Sequence, residues 1–120
     1  MNWLLVFVGG GLGSVLRFAI NKLVNFLFPT LVFPVATLVA NVLSCLLFAS
    51  GVLLFFPKLK HPEPMQFFLL TGICGGLSTF STFSSETFLL LKAGHYGFAI
   101  ANIIMSVLCC VGVFWWLLRR

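Results

Sequence analysis

Apolar and polar positions alternate along the chain on a scale of whole helices, giving apolar stretches over about 3–28, 33–56, 65–91 and 96–118. A helix rises 1.5 Å per residue, so roughly 20 residues cross the ~30 Å hydrocarbon core of a bilayer, and each stretch is long enough to do so. Pro29 closes the first, and the second carries no charge before Pro57-Lys58-Leu59-Lys60-His61-Pro62-Glu63-Pro64, a short polar turn and the clearest loop. The fourth ends on Arg119-Arg120. The third differs: Gly72, Gly75 and Gly76 interrupt it, and Ser78, Thr79, Ser81, Thr82, Ser84 and Ser85 follow. Unwound backbone at membrane depth is tolerated only when it is buried in protein or lines a wet cavity, so the pattern predicts a broken third helix and an internal site. No internal repeat divides the chain, and residues 1–120 read as a single four-span, all-α membrane unit.

Polar residues inside the spans recur at helical spacing. Thr37, Asn41 and Ser44 share one face of the second span, and Asn102, Ser106 and Cys110 one face of the fourth. In the third, Thr79, Thr82 and Glu86 align, with Phe80 and Phe83 on a neighbouring face. Three such stripes predict a shared hydrated path; the competing reading is interhelical hydrogen bonding that only holds the helices together. Glu86 is the one acidic residue in the apolar stretches, whereas Glu63 lies in the solvated turn. Gly9, Gly10, Gly13 and Ser14 form a small-residue face suited to close helix contact. Arg17 lies toward the far end of the first helix, where its long stem can reach the headgroups. His61 and His95 sit near span ends and read as interfacial.

Composition narrows the function classes. With 61% hydrophobic and 8% charged residues and a mean hydropathy of +1.17, the chain lacks the polar surface of a water-soluble globule and belongs in a lipid bilayer. The N-terminus lacks a signal-peptide cleavage pattern, because Trp3 to Val8 leads into Gly9, Gly10 and Gly11 and continues apolar, so it is expected to be retained. The four cysteines lie in apolar runs without CxxC spacing and read as buried small residues. The net charge of +5 comes from basic residues at span ends, with no stripe suited to nucleic acid. Nor is there a Ser-His pair, an HExxH motif or a phosphate-cradling loop, so no enzyme is expected.

Orientation is weakly encoded. Lys58, Lys60, Arg119 and Arg120 fall on one side and Arg17, Lys22 and Lys92 on the other, a four-to-three split. Either the chain has a single, poorly signalled topology, or it inserts both ways and pairs antiparallel. Four short helices rarely enclose a pore alone, which favours the dimer.

The segment Gly72-Ile73-Cys74-Gly75-Gly76-Leu77-Ser78-Thr79-Phe80-Ser81-Thr82-Phe83-Ser84-Ser85-Glu86 closely resembles the third span of the Fluc (CrcB-like) fluoride channels. Gly9-Gly10, Gly13 and Arg17 resemble that family's first span, and Thr37-Leu38 with Asn41 its second. The departures are Ser78 where Thr is frequent, Ser44 where Gly is frequent and Asn102 where Tyr is common. The resemblance implies an antiparallel dual-topology homodimer with two pores and a structural sodium ion at its centre, held by the backbone carbonyls of Gly75 and Ser78. It implies that Phe80 and Phe83 line the fluoride path, that Asn41, Ser81, Thr82, Glu86 and Ser106 add polar contacts, and that Arg17 and Asn102 serve a pore vestibule or packing. The implied activity is passive fluoride export across the bacterial cytoplasmic (inner) membrane, which relieves fluoride toxicity.

The residues suit an anion on chemical grounds as well. Moving a carboxylate-sized ion into a medium of dielectric about 4 costs on the order of 20 kcal/mol, and a smaller ion costs more, so fluoride needs replacement donors along its route. Hydroxyls and the Asn41 amide can donate, and the edge of an aromatic ring is positive. The alternatives are a small proton-coupled multidrug exporter and a non-transporting assembly subunit. The exporter family places its carboxylate in the first span, where this chain has none.

Overall fold

The computed structural model describes residues 1–119; Arg120, counted above among the basic span ends, lies outside the described residues. The first helix, α1, covers Asn2–Leu27 and stops before Pro29, whose ring nitrogen has no hydrogen to continue the ladder. The second, α2, covers Val35–Lys58; it widens into a π turn over Gly51–Phe55 and tightens into a 3₁₀ turn over Phe56–Lys58 before the Pro-rich loop. The third apolar stretch, Glu63–Lys92, contains α3 (residues 63–77) and α4 (Phe80–Lys92), with Ser78 and Thr79 in extended conformation between them. Gly94 then takes φ +85°, the left-handed geometry that ends helices and favours glycine, and α5 covers Tyr96–Leu118. These helical stretches supply four segments long and apolar enough to cross a membrane.

The closest packing joins α1 to α3, backbone against backbone. A Cβ added at Gly9 would run into the Phe68 carbonyl oxygen, one at Gly13 into the Ile73 carbonyl oxygen, and one at Gly76 into the Gly10 carbonyl oxygen. Only hydrogen fits at these positions, which is the physical content of the small-residue face anticipated in α1. On the other side of the molecule α2 packs on α5, with Phe48 and Phe114 in an edge-to-face contact at 5.4 Å between ring centroids. The core between the helices is built largely of small side chains, Ala40, Ala49, Cys74 and Ala99, with Leu77 and Leu90.

Large apolar side chains point outward instead. Trp3, Phe7, Phe26 and Phe80 are each at least 78% exposed. A soluble monomer rarely exposes contiguous apolar surface on this scale, so these faces are matched to lipid tails or to another apolar surface. The molecule measures 52 × 31 × 23 Å, and its long axis suits a bilayer of ~40–45 Å including headgroups.

Candidate functional site

The interruption between α3 and α4 organises the polar residues. Ser78 adopts φ −80°, ψ 153° and Thr79 φ −152°, ψ 122°, so the carbonyls ending α3 and the amides starting α4 lose their helical partners. Other groups satisfy several of them. The Cys74 carbonyl accepts the Ser78 N–H at 3.0 Å, the Ser78 hydroxyl at 2.8 Å and the Ser44 hydroxyl of α2 at 2.8 Å. One turn away on α2, Asn41 Oδ1 accepts the Thr79 N–H at 2.9 Å. Thr79 caps α4 by accepting the Thr82 N–H on its Oγ1 at 3.3 Å, and its hydroxyl also lies 3.2 Å from that of Thr82 and 3.3 Å from that of Ser81.

Two consequences follow for the backbone and for Asn41. The Thr79 N–H, which would be the α-helical partner of the Gly75 carbonyl, goes to Asn41; the Thr82 N–H, which would be that of the Ser78 carbonyl, goes to Thr79 Oγ1. Both carbonyls are thereby released from the helix ladder. The backbone donor also fixes which end of the Asn41 amide faces it, leaving the Nδ2 hydrogens as donors toward the neighbouring space.

That space is a cleft of about 340 Å³ lined by Asn41, Cys45, Ser78, Thr79, Phe80, Phe83, Ser106 and Cys110, with Val107 and Val111. The Phe80 and Phe83 rings lie 5.7 Å apart, tilted by 39°, with Phe80 80% exposed on the open side. Asn41, Phe80, Phe83 and Ser106 thus meet at one place. Ser81, exposed, is tied to it through Thr79.

The remaining polar residues stand elsewhere. Thr82 joins Ser14, Arg17, Asn21 and Thr37 around a second cavity of about 260 Å³ between α1, α2 and α4. The Thr37 hydroxyl donates to Glu86 Oε1 at 2.6 Å. Glu86 also borders an adjoining cavity of about 420 Å³ that shares Asn21. Arg17 Nε and Glu86 Oε2 are buried without a hydrogen-bond partner among the described residues. A buried polar group without a partner is costly, so these two atoms are candidate contacts for a polar or charged species entering the cavities.

Asn102 is 1% exposed and stands behind the first cleft rather than on its wall. Its Nδ2 donates to Thr87 Oγ1 at 2.9 Å, Thr87 donates to the Phe83 carbonyl at 2.8 Å, and the Ser106 hydroxyl is 3.4 Å from Asn102 Oδ1. This chain of groups ties the backbone of Phe83 on α4 to Ser106 on α5. Sequence reasoning missed Thr87, although its i+4 relation to Phe83 was a signal, and it missed the juxtaposition of Cys45 and Cys110, each one turn beyond a polar residue of the cleft. Gly75 and Ser78 border a smaller cavity of about 180 Å³ with Ser44, Cys45 and Cys74. No group of three or more His, Cys, Asp or Glu side chains able to hold a metal occurs among the described residues, and the oxygens at the break are backbone carbonyls and the hydroxyls of Ser44, Ser78 and Thr79.

The family model described as "CrcB-like protein, Camphor Resistance (CrcB)" matches residues 4–117. The chain is 45% identical over 120 residues to the fluoride-specific ion channel FluC of Proteus mirabilis (strain HI4320), covering 96% of this chain and 94% of that protein. It is 41% identical over 106 residues to the protein of the same name from Salmonella arizonae, covering 88% of this chain and 81% of that one. The same figures hold for the FluC of Salmonella newport (strain SL254). With the family model spanning nearly its whole length, the chain belongs to the CrcB-like family.

Proposed function

We propose that this chain is the subunit of a passive, fluoride-selective channel that lets fluoride leave the cytoplasm across the bacterial inner membrane. The observation that carries the reading is the cleft at the α3–α4 break, where two aromatic rings, the Asn41 amide donors and the Ser106 hydroxyl converge, in a relative of proteins named fluoride-specific channels. Fluoride that sheds water needs donors in exchange, and the Asn41 Nδ2 hydrogens and the hydroxyls of Ser81 and Thr82 can supply them, with Ser106 adding its own once it turns from Asn102 Oδ1, 3.4 Å away. The edges of Phe80 and Phe83 add positive potential that a cation would not favour. Glu86, with one oxygen held by Thr37, and Arg17, with an unengaged Nε, would border the approach to this path, the guanidinium drawing anions into a vestibule.

In this reading the functional unit is an antiparallel, dual-topology homodimer with two pores and one four-span unit per subunit. The open side of the cleft, where Phe80 is largely exposed, supports a wall supplied by a second copy. The near-even distribution of basic residues supports insertion in both orientations. The third span acts as a broken helix. Its released Gly75 and Ser78 carbonyls, hard oxygen donors bordering a cavity whose lining is otherwise hydroxyl, thiol and apolar, suit a structural sodium ion at the dimer centre, so the residues present fit that ion.

The test is fluoride efflux from liposomes carrying the purified protein, read with a fluoride electrode after a potassium ionophore is added, with chloride as control. Rapid fluoride release without chloride release, lost in Phe80→Ile, is expected. A verified dimer in sodium buffer that releases no fluoride would overturn the reading.

A further inference from the structure

The cleft has a second chemical character that the polar residues do not account for. Cys45 lies one turn after Asn41 on α2, and Cys110 one turn after Ser106 on α5, and both line the same cleft. Asn41 and Ser106 line the cleft one turn before the two thiols, and Phe48 meets Phe114 about one turn after them, so the register of the two helices sets Cys45 opposite Cys110 across the α2–α5 interface. The Phe48–Phe114 contact, at 5.4 Å roughly one further turn along each helix, holds the two helices in that register. Both residues are free thiols, half-buried at the wall of a space that also contains polar side chains.

We propose that Cys45 and Cys110 form a two-thiolate site for a thiophilic monovalent cation, silver(I) or copper(I), and that an ion bound there closes the cleft to anions. Thiolates select soft cations, and ligation displaces the thiol protons. Two thiols and one M⁺ give a linear S–M–S unit of charge −1 and two released protons, with no change in oxidation state. Zinc is a poor fit because it takes four ligands in a tetrahedron, and no third His, Cys, Asp or Glu completes a set among the described residues. The site is built from geometry alone, but its effect on transport rests on the channel reading above. An ion there fills part of a cleft of about 340 Å³ and adds a negative charge beside the donors meant for fluoride.

The experiment uses the full chain in chloride-free nitrate buffer. Silver bound per subunit is measured by equilibrium dialysis and elemental analysis, and fluoride efflux from liposomes is followed before and after silver nitrate. Wild type should bind one tight silver ion per subunit and lose efflux in parallel, with recovery on adding excess dithiothreitol. Cys45→Ser and Cys110→Ser should each weaken binding and block by at least the roughly 10–100-fold that loss of a mere supporting partner costs at metal sites. Cys109→Ser, which lines neither cavity, should leave both unchanged. Tight silver binding that survives Cys45→Ser and Cys110→Ser, or wild type that binds no silver tightly, overturns the site. Tight binding that leaves an active fluoride efflux intact overturns the block. Absence of fluoride efflux before silver is added counts against the channel reading instead, and the silver stoichiometry still decides the site.

Discussion

Gly13→Ala should loosen the α1–α3 pair more than any other single methyl added to α1 or α3 at a buried glycine. A Cβ at this position would overlap the Ile73 carbonyl oxygen and come within 2.8 Å of the Leu77 nitrogen and 3.0 Å of the Ile73 carbonyl carbon. All three are backbone atoms, so no rotamer change can relieve the contact. Carbon atoms reach favourable contact only near 3.5–4.0 Å, so α1 must retreat by something of the order of 1 Å. That retreat would also open the Gly9–Gly72 contact, where the Cβ of a residue at 72 would meet the Gly9 Cα at 2.9 Å. Overpacking of this kind costs about 1–3 kcal/mol, a large share of a typical total of about 5–15 kcal/mol. Gly11→Ala and Gly112→Ala are the controls, since an added Cβ meets nothing within 4 Å at either position. In a helix interior those changes should be neutral or stabilise by roughly 0.5–1 kcal/mol. Thermal denaturation in detergent, followed by loss of the native elution volume, compares the three. Equal stability of Gly13→Ala and Gly11→Ala would refute the tight seam.

Asn41→Asp keeps an oxygen for the Thr79 N–H but removes the amide donors and adds negative charge to the cleft, so fluoride efflux should be lost while the fold survives. Asn41→Leu, which also strands the Thr79 N–H, should in addition destabilise by about 1–3 kcal/mol in the same denaturation assay. Thr87→Val leaves the buried Asn102 Nδ2 without its acceptor and should cost about 1–3 kcal/mol; a melting temperature unchanged from wild type would show the Asn102 chain to be idle. Replacing sodium by N-methyl-D-glucamine throughout purification should weaken the dimer or abolish efflux, and indifference to sodium would remove the central ion from the proposal.

The spans were legible because lipid leaves hydropathy no freedom: an uncharged stretch between Pro34 and Pro57 has few other places to go. The glycine face of α1 was legible for a related reason, since helix contact in lipid depends on how closely backbones approach. The sense of the polar stripes was not. Spacing placed Thr37, Asn41 and Ser44 on one face of α2, yet each addresses a different target: Glu86, the Thr79 amide and the Cys74 carbonyl. Asn102 shares a face with Ser106, but it is sealed against Thr87 while Ser106 reaches the cleft. Which member of a stripe meets solvent depends on the crossing of neighbouring helices, and one helix's periodicity carries no information about that. The meeting of Cys45 and Cys110 at one cleft was hidden for the same reason, because it exists only once α2 and α5 are packed.

The dual role of Asn41 follows from the break itself. An interrupted helix exposes carbonyls at the end of its first part and amides at the start of its second, so a single interruption offers sites of opposite polarity a few residues apart. Here the carbonyls of Gly75 and Ser78 are released on one side, while α4 begins at Phe80 with its amide end toward the Phe80–Ser81 region. In the proposed channel, a cation on the first and an anion passing the second would each stabilise the charge that the unwinding uncovers. Asn41 links the two, since its Oδ1 takes the Thr79 amide and so frees the Gly75 carbonyl, and its Nδ2 faces the cleft. Loss of transport in an Asn41 variant is therefore ambiguous by itself. Asn41→Asp, which retains the backbone acceptor, separates the two roles: efflux lost with stability kept assigns the donor role, whereas stability lost along with efflux assigns Asn41 chiefly to holding the break.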